Sequence, residues 1–416
     1  MRILHTSDWH LGQHFMGKSR QAEHLALIDW LLAQVSEQAV DAVLIAGDIF
    51  DTGAPPSYAR ELYSQLVVRL HAAGVALLLL GGNHDSVATL RESKALLACL
   101  STTVIAAADD VAAQVQVLPA RDPAGSSDTS KAGCIVCAIP FIRPRDVLQS
   151  QAGESADAKQ QSLQAAIAAH YQSVYAAALA KRAEIEASTG QVLPIIATGH
   201  LTTLGASISE SVREIYVGSL ETFPASAFPP VSYVALGHIH RPQKVGGQEH
   251  IRYSGSPIPL SFDEARQQKE VLLIDLDATG LRAVTPLPVP RFQPLIALTG
   301  KLGDLAAAIA AAAADGSPER PAWLEVTVSA DDYLADLPAR IQTMADGLPV
   351  EILRIRRERG NQAATLAAQT DETLDELSPY DVFARRLEQE DLASELSGAL
   401  TERYRHVVAS LQEQEA

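Results

Sequence analysis

A layered α/β fold with two packed sheets is predicted by three features of this sequence. Short apolar runs rich in Val, Ile and Leu recur along it, amphipathic stretches separate them, and the pattern changes after about residue 288. Continuous apolar runs of this length are what strands buried on both faces require, and the amphipathic stretches supply the crossover helices.

The central strands are predicted at "RILHTSD" (2–8), "DAVLIAGD" (41–48), "VALLLLGGN" (75–83), "PIIATGH" (194–200) and "YVALGH" (233–238). Between the first two, Leu25, Ile28, Leu32 and Val35 recur at helical spacing, and "SYARELYSQLVVRLHAAG" has the same character. Further strands at "CIVCAIPF", "IRYSGS" and "EVLLIDLD" suffice for a second sheet, and a long helix is expected over 159–187. Beyond residue 288, five segments from "RFQPLIALTG" to "PVEILRIRRER" read as strand, helix, strand, helix, strand. The expected organisation is a main domain over 1–287, a small α+β module over 288–360, a polar linker over 361–375 and a helical tail over 376–416. The tail opens with Ser378 as helix cap and Pro379 in the first turn, then carries an apolar stripe from Leu392 to Leu411.

Each of the five central runs ends in metal-type ligands: Asp8 and His10, Asp48, Asn83, His200, and His238 with His240. Carboxyl ends of parallel strands converge on one crevice, so sequence distance does not prevent these side chains from meeting. Alone, a glycine followed by Asp or His is an ordinary strand-end turn, and a single His-x-His is a local hydrogen-bonded pair. Five strand ends in succession supplying only N and O donors favour a metal centre instead. Imidazole with carboxylate and amide, without thiolate, suits Mn, Fe or Zn. The donors exceed the needs of one ion and match two ions roughly 3.5–4 Å apart that share a carboxylate, an arrangement suited to phosphoryl displacement. His84 is placed to donate a proton toward a leaving oxygen, the alternative being a turn histidine bonded to Asp85.

The series D-x-H, G-D, G-N-H-D, G-H, G-H-x-H resembles the calcineurin-like metallophosphoesterases over residues 1 to about 285. The strings "SDWHLGQ", "GDIFDTGAPPSYARELY", "GNHDSVATLRES", "VALGHIHRPQ" and "YSGSPIPLSFDE" are similar to the DNA-nuclease branch of that superfamily. This resemblance implies a four-layer α-β-β-α sandwich with a small α+β cap domain and a C-terminal helical tail. It assigns one ion to Asp8, His10, Asp48 and His240 and a second to Asp48, Asn83, His200 and His238, with Asp48 bridging and His84 catalytic. It further implies two divalent cations, most typically Mn2+, and cleavage of DNA ends 3′ to 5′, of single strands and of hairpins. The implied assembly is a pair of nuclease subunits with a coiled-coil ATPase on which the tail docks. Some relatives carry histidine where this chain has Asp51, so the function of that histidine does not transfer. The rival readings are a phosphoesterase of small nucleotides or phosphoproteins and a non-catalytic scaffold; the intact ligand series disfavours the second.

A net charge of −17 excludes nucleic-acid binding by overall attraction, so an anionic substrate must be drawn by local cations. Cys99, Cys134 and Cys137 make no disulfide framework, and no long apolar run suggests a membrane span or signal peptide, so a cytoplasmic protein is expected. Cys134 and Cys137 are an odd number apart in a predicted strand and should face opposite sides.

Overall fold

The computed structural model of the chain describes residues 1–121, 132–148, 156–204, 206–207, 212, 223–329, 336–357, 400–401 and 403–404. From the N-terminus, β1 (Arg2–Thr6) leads through the hairpin β2 (His14–Phe15) and β3 (Lys18–Ser19) into α1 (Gln21–Glu37) and β4 (Ala42–Ile45). There follow α2 (Ser57–Ala72), β5 (Ala76–Leu80), the short helices α3 (Val87–Glu92) and α4 (Lys94–Ala98), β6 (Thr102–Ile105), β7 (Val115–Pro119) and β8 (Ala132–Cys137). Next come α5 (Pro144–Val147), α6 (Ala156–Thr189), β9 (Ile195–His200), β10 (Tyr233–Gly237), β11 (Gln243–Lys244) and β12 (Ile251–Tyr253). The antiparallel pair β13 (Glu270–Asp277) and β14 (Gly280–Pro288) precedes β15 (Leu295–Gly300), α7 (Leu302–Ala312), β16 (Ala322–Val328), α8 (Leu337–Ala345) and β17 (Val350–Arg357).

Two six-stranded sheets result, in the orders β14-β13-β1-β4-β5-β6 and β11-β12-β10-β9-β8-β7. Strands β1, β4, β5 and β6 are mutually parallel, as are β12, β10, β9 and β8, so all five predicted ligand-bearing strands run through sheet centres. The sheets pack face to face through Ile3, Leu44, Leu78, Val136, Ile196 and Ala235. The outer face of the first sheet is covered by Leu27, Ile28, Leu31, Leu62 and Leu66 of α1 and α2, and that of the second by Leu163, Ile167, Tyr171 and Val174 of α6. The order of layers is therefore α-β-β-α, as expected.

Two details differ from the sequence reading. The buried stripe of α1 is His24, Leu27, Ile28, Leu31 and Val35, whereas Leu25 is exposed. Two apolar stripes at helical spacing coexist in this segment, and the one shared with the sheet is buried. Strands β6, β7 and β14 were not anticipated: each lies at or beside a sheet edge, where polar residues alternate and blur the apolar run. The Cys134 side chain enters the core between the sheets and Cys137 the core beneath α6, so the two thiols do face opposite sides.

The elements after β14 form a three-stranded sheet, β15-β16-β17, backed by α7 and α8 over a separate apolar core that includes Leu305, Ile309, Leu324, Val326 and Ile341. Trp323 of this sheet stacks on Phe15, with ring centroids 5.7 Å apart. The expected linker and nearly all of the tail stripe from Leu392 to Leu411, with the Ser378 cap, lie outside the described residues. No described helix is long and apolar enough to cross a membrane.

Candidate metal centre

The carboxyl ends of all five ligand-bearing strands open toward one place, where the loops after β1, β4, β5 and β10 meet the last residue of β9. The pairing of β1 with β4 continues past the strand ends: the Asp8 amide donates to the Gly47 carbonyl, that of His10 to Asp48 and that of Leu11 to Ile49, at 3.0, 3.0 and 2.9 Å. Trp9, fully buried between Asp8 and His10, bonds the Thr6 hydroxyl at 2.9 Å and anchors the first loop in the outer core. Asp8, His10, Asp48 and His238 adopt positive φ angles of 55, 48, 49 and 91°. Such conformations cost a non-glycine residue on the order of 1–3 kcal/mol and concentrate at sites where side-chain aim outweighs backbone comfort. Gly47 (φ 93°) and Gly82 have a steric reason: a Cβ on the first would collide with the His200 ring and on the second with Asp48.

The predicted residues meet. Donor atoms of Asp8, His10 and His240 lie within 4.8 Å of one another, as do those of Asp48, His200 and His238, and those of His10, Asp48 and His84. Asp48 joins the groups: its Oδ2 is 3.3 Å from His200 Nε2 and 3.6 Å from His10 Nε2, while its Oδ1 accepts the His84 amide at 2.9 Å. Asn83 Oδ1 lies 2.8 Å from His200 Nε2 and 3.2 Å from His238 Nδ1, which puts the amide in the second group. Asp8 accepts the His238 amide at 2.9 Å and the Ser7 hydroxyl at 2.6 Å. Six of the seven predicted ligands are buried; Asn83 and His84 are half-exposed and mark the open side.

Hydrogen bonds to the backbone orient the rings. His200 Nδ1 donates to the Ala46 carbonyl at 2.9 Å and His84 Nδ1 to the Asp51 carbonyl at 2.8 Å, directing each Nε2 away from the backbone. His10 Nδ1 faces the Asp51 carboxylate at 3.2 Å, whereas its buried Nε2 has no hydrogen-bond partner. A buried, orphaned imidazole nitrogen facing a carboxylate is a pattern that a bound cation satisfies, and an N/O donor set of this composition fits a borderline divalent ion.

Electrostatics agree. Burial disfavours charge on Asp48, yet His200, His10 and His84 outweigh it and hold the carboxyl well below the usual range. Burial likewise opposes protonation of His200, but the charge and hydrogen bond of Asp48 raise it to about 9; in His10 burial is outweighed by Asp51 and Asp48. His238 stays neutral because burial and the neighbouring His200 both disfavour its charge. The clustered carboxylates thus favour the protonated forms of His200 and His10.

Of the supporting residues, the sequence points only to Asp85, as an orienting or capping carboxylate rather than a catalytic one. Asp51 orients His10 and His84. Asp85 accepts the amides of Ile49, Phe50 and Gly82 at 3.1, 2.9 and 2.9 Å, clamping the Asp48 loop to the Asn83 loop. Burial, followed by the charge of Asp48, pushes its carboxyl up to about 6. Glu264 Oε1 lies 3.4 Å from His240 Nδ1. Asp51 and Glu264 sit outside the repeated ligand pattern, and only the "SFDE" string hinted at Glu264.

Fold and site together define a calcineurin-like metallophosphoesterase, a class of metal-binding hydrolases. Residues 1–126 match the calcineurin-like phosphoesterase family, and residues 291–391 match the type 5 capsule protein repressor C-terminal domain. The chain is 51% identical over 392 residues to SbcD of the nuclease SbcCD from Escherichia coli (strain K12), covering 94% of both chains. It is 33% identical over 400 residues to the SbcD protein of Rhodobacter capsulatus (92% of this chain, 94% of the relative). Identity to the SbcD protein of Bacillus subtilis (strain 168) is 29% over 373 residues, covering 86% of this chain and 83% of the relative. The chain belongs to the SbcD family of SbcCD nuclease components.

Proposed function

We propose that this chain is the nuclease subunit of an SbcCD-type complex, a two-metal DNA phosphodiesterase that works with an SbcC-type coiled-coil ATPase in DNA repair and recombination. The observation that carries the reading is the convergence of Asp8, His10, Asp48, Asn83, His200, His238 and His240 at one sheet edge beside half-exposed His84. Asp8, His10, Asp48 and His240 would hold one ion and Asp48, Asn83, His200 and His238 the other, with Mn2+ the expected metal. When bound, the pair of ions polarises the phosphodiester and lowers the pKa of the attacking water. Asp48 fixes the separation of the two groups. His84, anchored by its Nδ1 on the Asp51 carbonyl and by its own amide on Asp48, offers Nε2 to the departing oxygen. With two divalent cations bound, the charge of Asp8, Asp48 and Asp51 would be outweighed, which would give an acidic chain a local attraction for DNA.

The expected activities are 3′ to 5′ exonuclease action on duplex ends and endonuclease action on single strands and hairpins, gated by ATP on the partner. The sheet β15-β16-β17 with its helices is read as the cap over DNA, spanning 288–360, and the tail over 376–416 as the ATPase-docking segment. A labelled hairpin oligonucleotide with a single-stranded extension tests the reading: Mn2+-dependent cleavage, abolished by EDTA, is expected. Hydrolysis of small phosphodiesters with DNA untouched, even with the ATPase partner added, would support the small-nucleotide reading instead.

Because His200 must give up its proton before its Nε2 can ligate, and its pKa stands at about 9, protons and metal compete below that pH. The apparent Mn2+ affinity should rise by about tenfold per pH unit between pH 6 and 8, for one proton displaced. Calorimetry in buffers of different ionisation enthalpy reads the released proton; a pH-independent affinity would contradict the placement of His200.

Dimerisation is assigned to α2 with α3 and α4, which flank a groove lined by Tyr63, Val67, Val68, Leu96 and Leu100. Val68 and Leu96 are 53% and 65% exposed, unusual for apolar residues on adjacent helices. Leu96→Glu should convert a dimer to a monomer in analytical ultracentrifugation; an unchanged sedimentation coefficient would place the interface elsewhere.

A further inference from the structure

The turn Phe262–Glu264 carries contacts in two directions. Toward the metal centre, fully buried Glu264 presents Oε1 to His240 Nδ1 at 3.4 Å, and its Oε2 accepts from Lys269 Nζ at 2.6 Å and from the Leu260 amide at 3.0 Å. Lys269 Nζ also donates to the His240 carbonyl at 2.8 Å and lies 3.0 Å from Ser256 Oγ. One buried ion pair therefore grips both the ring and the backbone of a single histidine. Toward the small sheet, Phe262 meets Phe15 edge-on at 5.1 Å, Phe15 stacks on Trp323, and the Arg354 guanidinium lies 5.7 Å from the Phe262 ring.

A buried ion pair is costly to desolvate and contributes little net stability, so its value lies in what it orders. A carboxylate on the far nitrogen of a metal-binding imidazole fixes the tautomer and the ring plane. We propose that Glu264, held by Lys269, is a positioning residue that keeps the proton of His240 on Nδ1 and aims Nε2 at the first ion, and that the small sheet supports it through Phe262. This rests on the two-ion reading above.

The test uses the full chain, Mn2+ alone as probe, calorimetry for the two sites, and ring 15N NMR of labelled histidine in the metal-free protein. Because Glu264→Leu would strand a buried ammonium, it is combined with Lys269→Met. This double variant should bind one Mn2+ as wild type does and the other about tenfold to a hundredfold more weakly, with His240 shifting from a single Nδ1–H tautomer to a mixture. Glu264→Gln with Lys269→Met keeps an acceptor oxygen and should recover most of the affinity and the single tautomer. Trp323→Ala should weaken the same site by a smaller factor, and no effect would overturn the support through Phe262. Two wild-type-like sites and an unchanged tautomer in the first double variant would overturn the role of Glu264. So would loss of both sites or of the fold without recovery in the second, since that marks a purely structural pair. If the wild type itself binds fewer than two Mn2+, the two-ion reading fails first and this inference with it.

Discussion

Asp48→Asn is expected to reduce Mn2+-dependent hydrolysis by at least about a thousandfold, or ~4 kcal/mol of transition-state stabilisation. The reason is position. Asp48 Oδ2 lies 3.3 Å from His200 Nε2 and 3.6 Å from His10 Nε2, so one carboxylate serves both donor groups. Asparagine keeps an oxygen that can accept the His84 amide, which preserves the loop, but it removes the anionic charge that a bridge between two cations requires. Calorimetry should therefore show both Mn2+ sites weakened together while thermal unfolding changes little. One site retained at wild-type affinity would show that Asp48 belongs to a single ion.

His84→Ala should behave in the opposite way on metal and in the same way on rate. The ring sits at the half-exposed rim, edge-on to His10 with centroids 4.6 Å apart, and its Nδ1 is committed to the Asp51 carbonyl at 2.8 Å. Removing a general acid of this kind costs about 10²–10⁴ in kcat. Mn2+ binding should persist, because the proposed ligands are the seven other side chains. Steady-state kinetics on an activated phosphodiester, whose leaving group needs no proton, should show a much smaller loss than on DNA. Equal losses on both substrates, or loss of one metal, would make His84 a ligand, a role its grouping with His10 and Asp48 would allow.

Much of this centre was legible because its donors share one structural rule: each is the last residue of an apolar strand or lies within four residues beyond it, and parallel strands bring such ends together. His238 and His240 answered to the same rule, although β10 ends at Gly237 and both lie in the loop beyond it. What the rule does not reach is support. Asp51, Glu264 and Lys269 lie in loops without periodicity, and their roles depend on which backbone amide or ring nitrogen happens to face them. The face of α1 was misread for a related reason: Leu25 and Leu27 both belong to helical stripes, and only the packed sheet selects between them. Edge strands such as β7 escaped notice because one-sided burial leaves no continuous apolar run.

The central claim is that one strand-end cluster holds two ions bridged by Asp48. Anomalous diffraction from crystals soaked in Mn2+ tests it most directly. Two peaks roughly 3.5–4 Å apart are expected, one coordinated by Asp8, His10, Asp48 and His240 and the other by Asp48, Asn83, His200 and His238. A single peak, or a pair that leaves Asp48 on one ion alone, would contradict it.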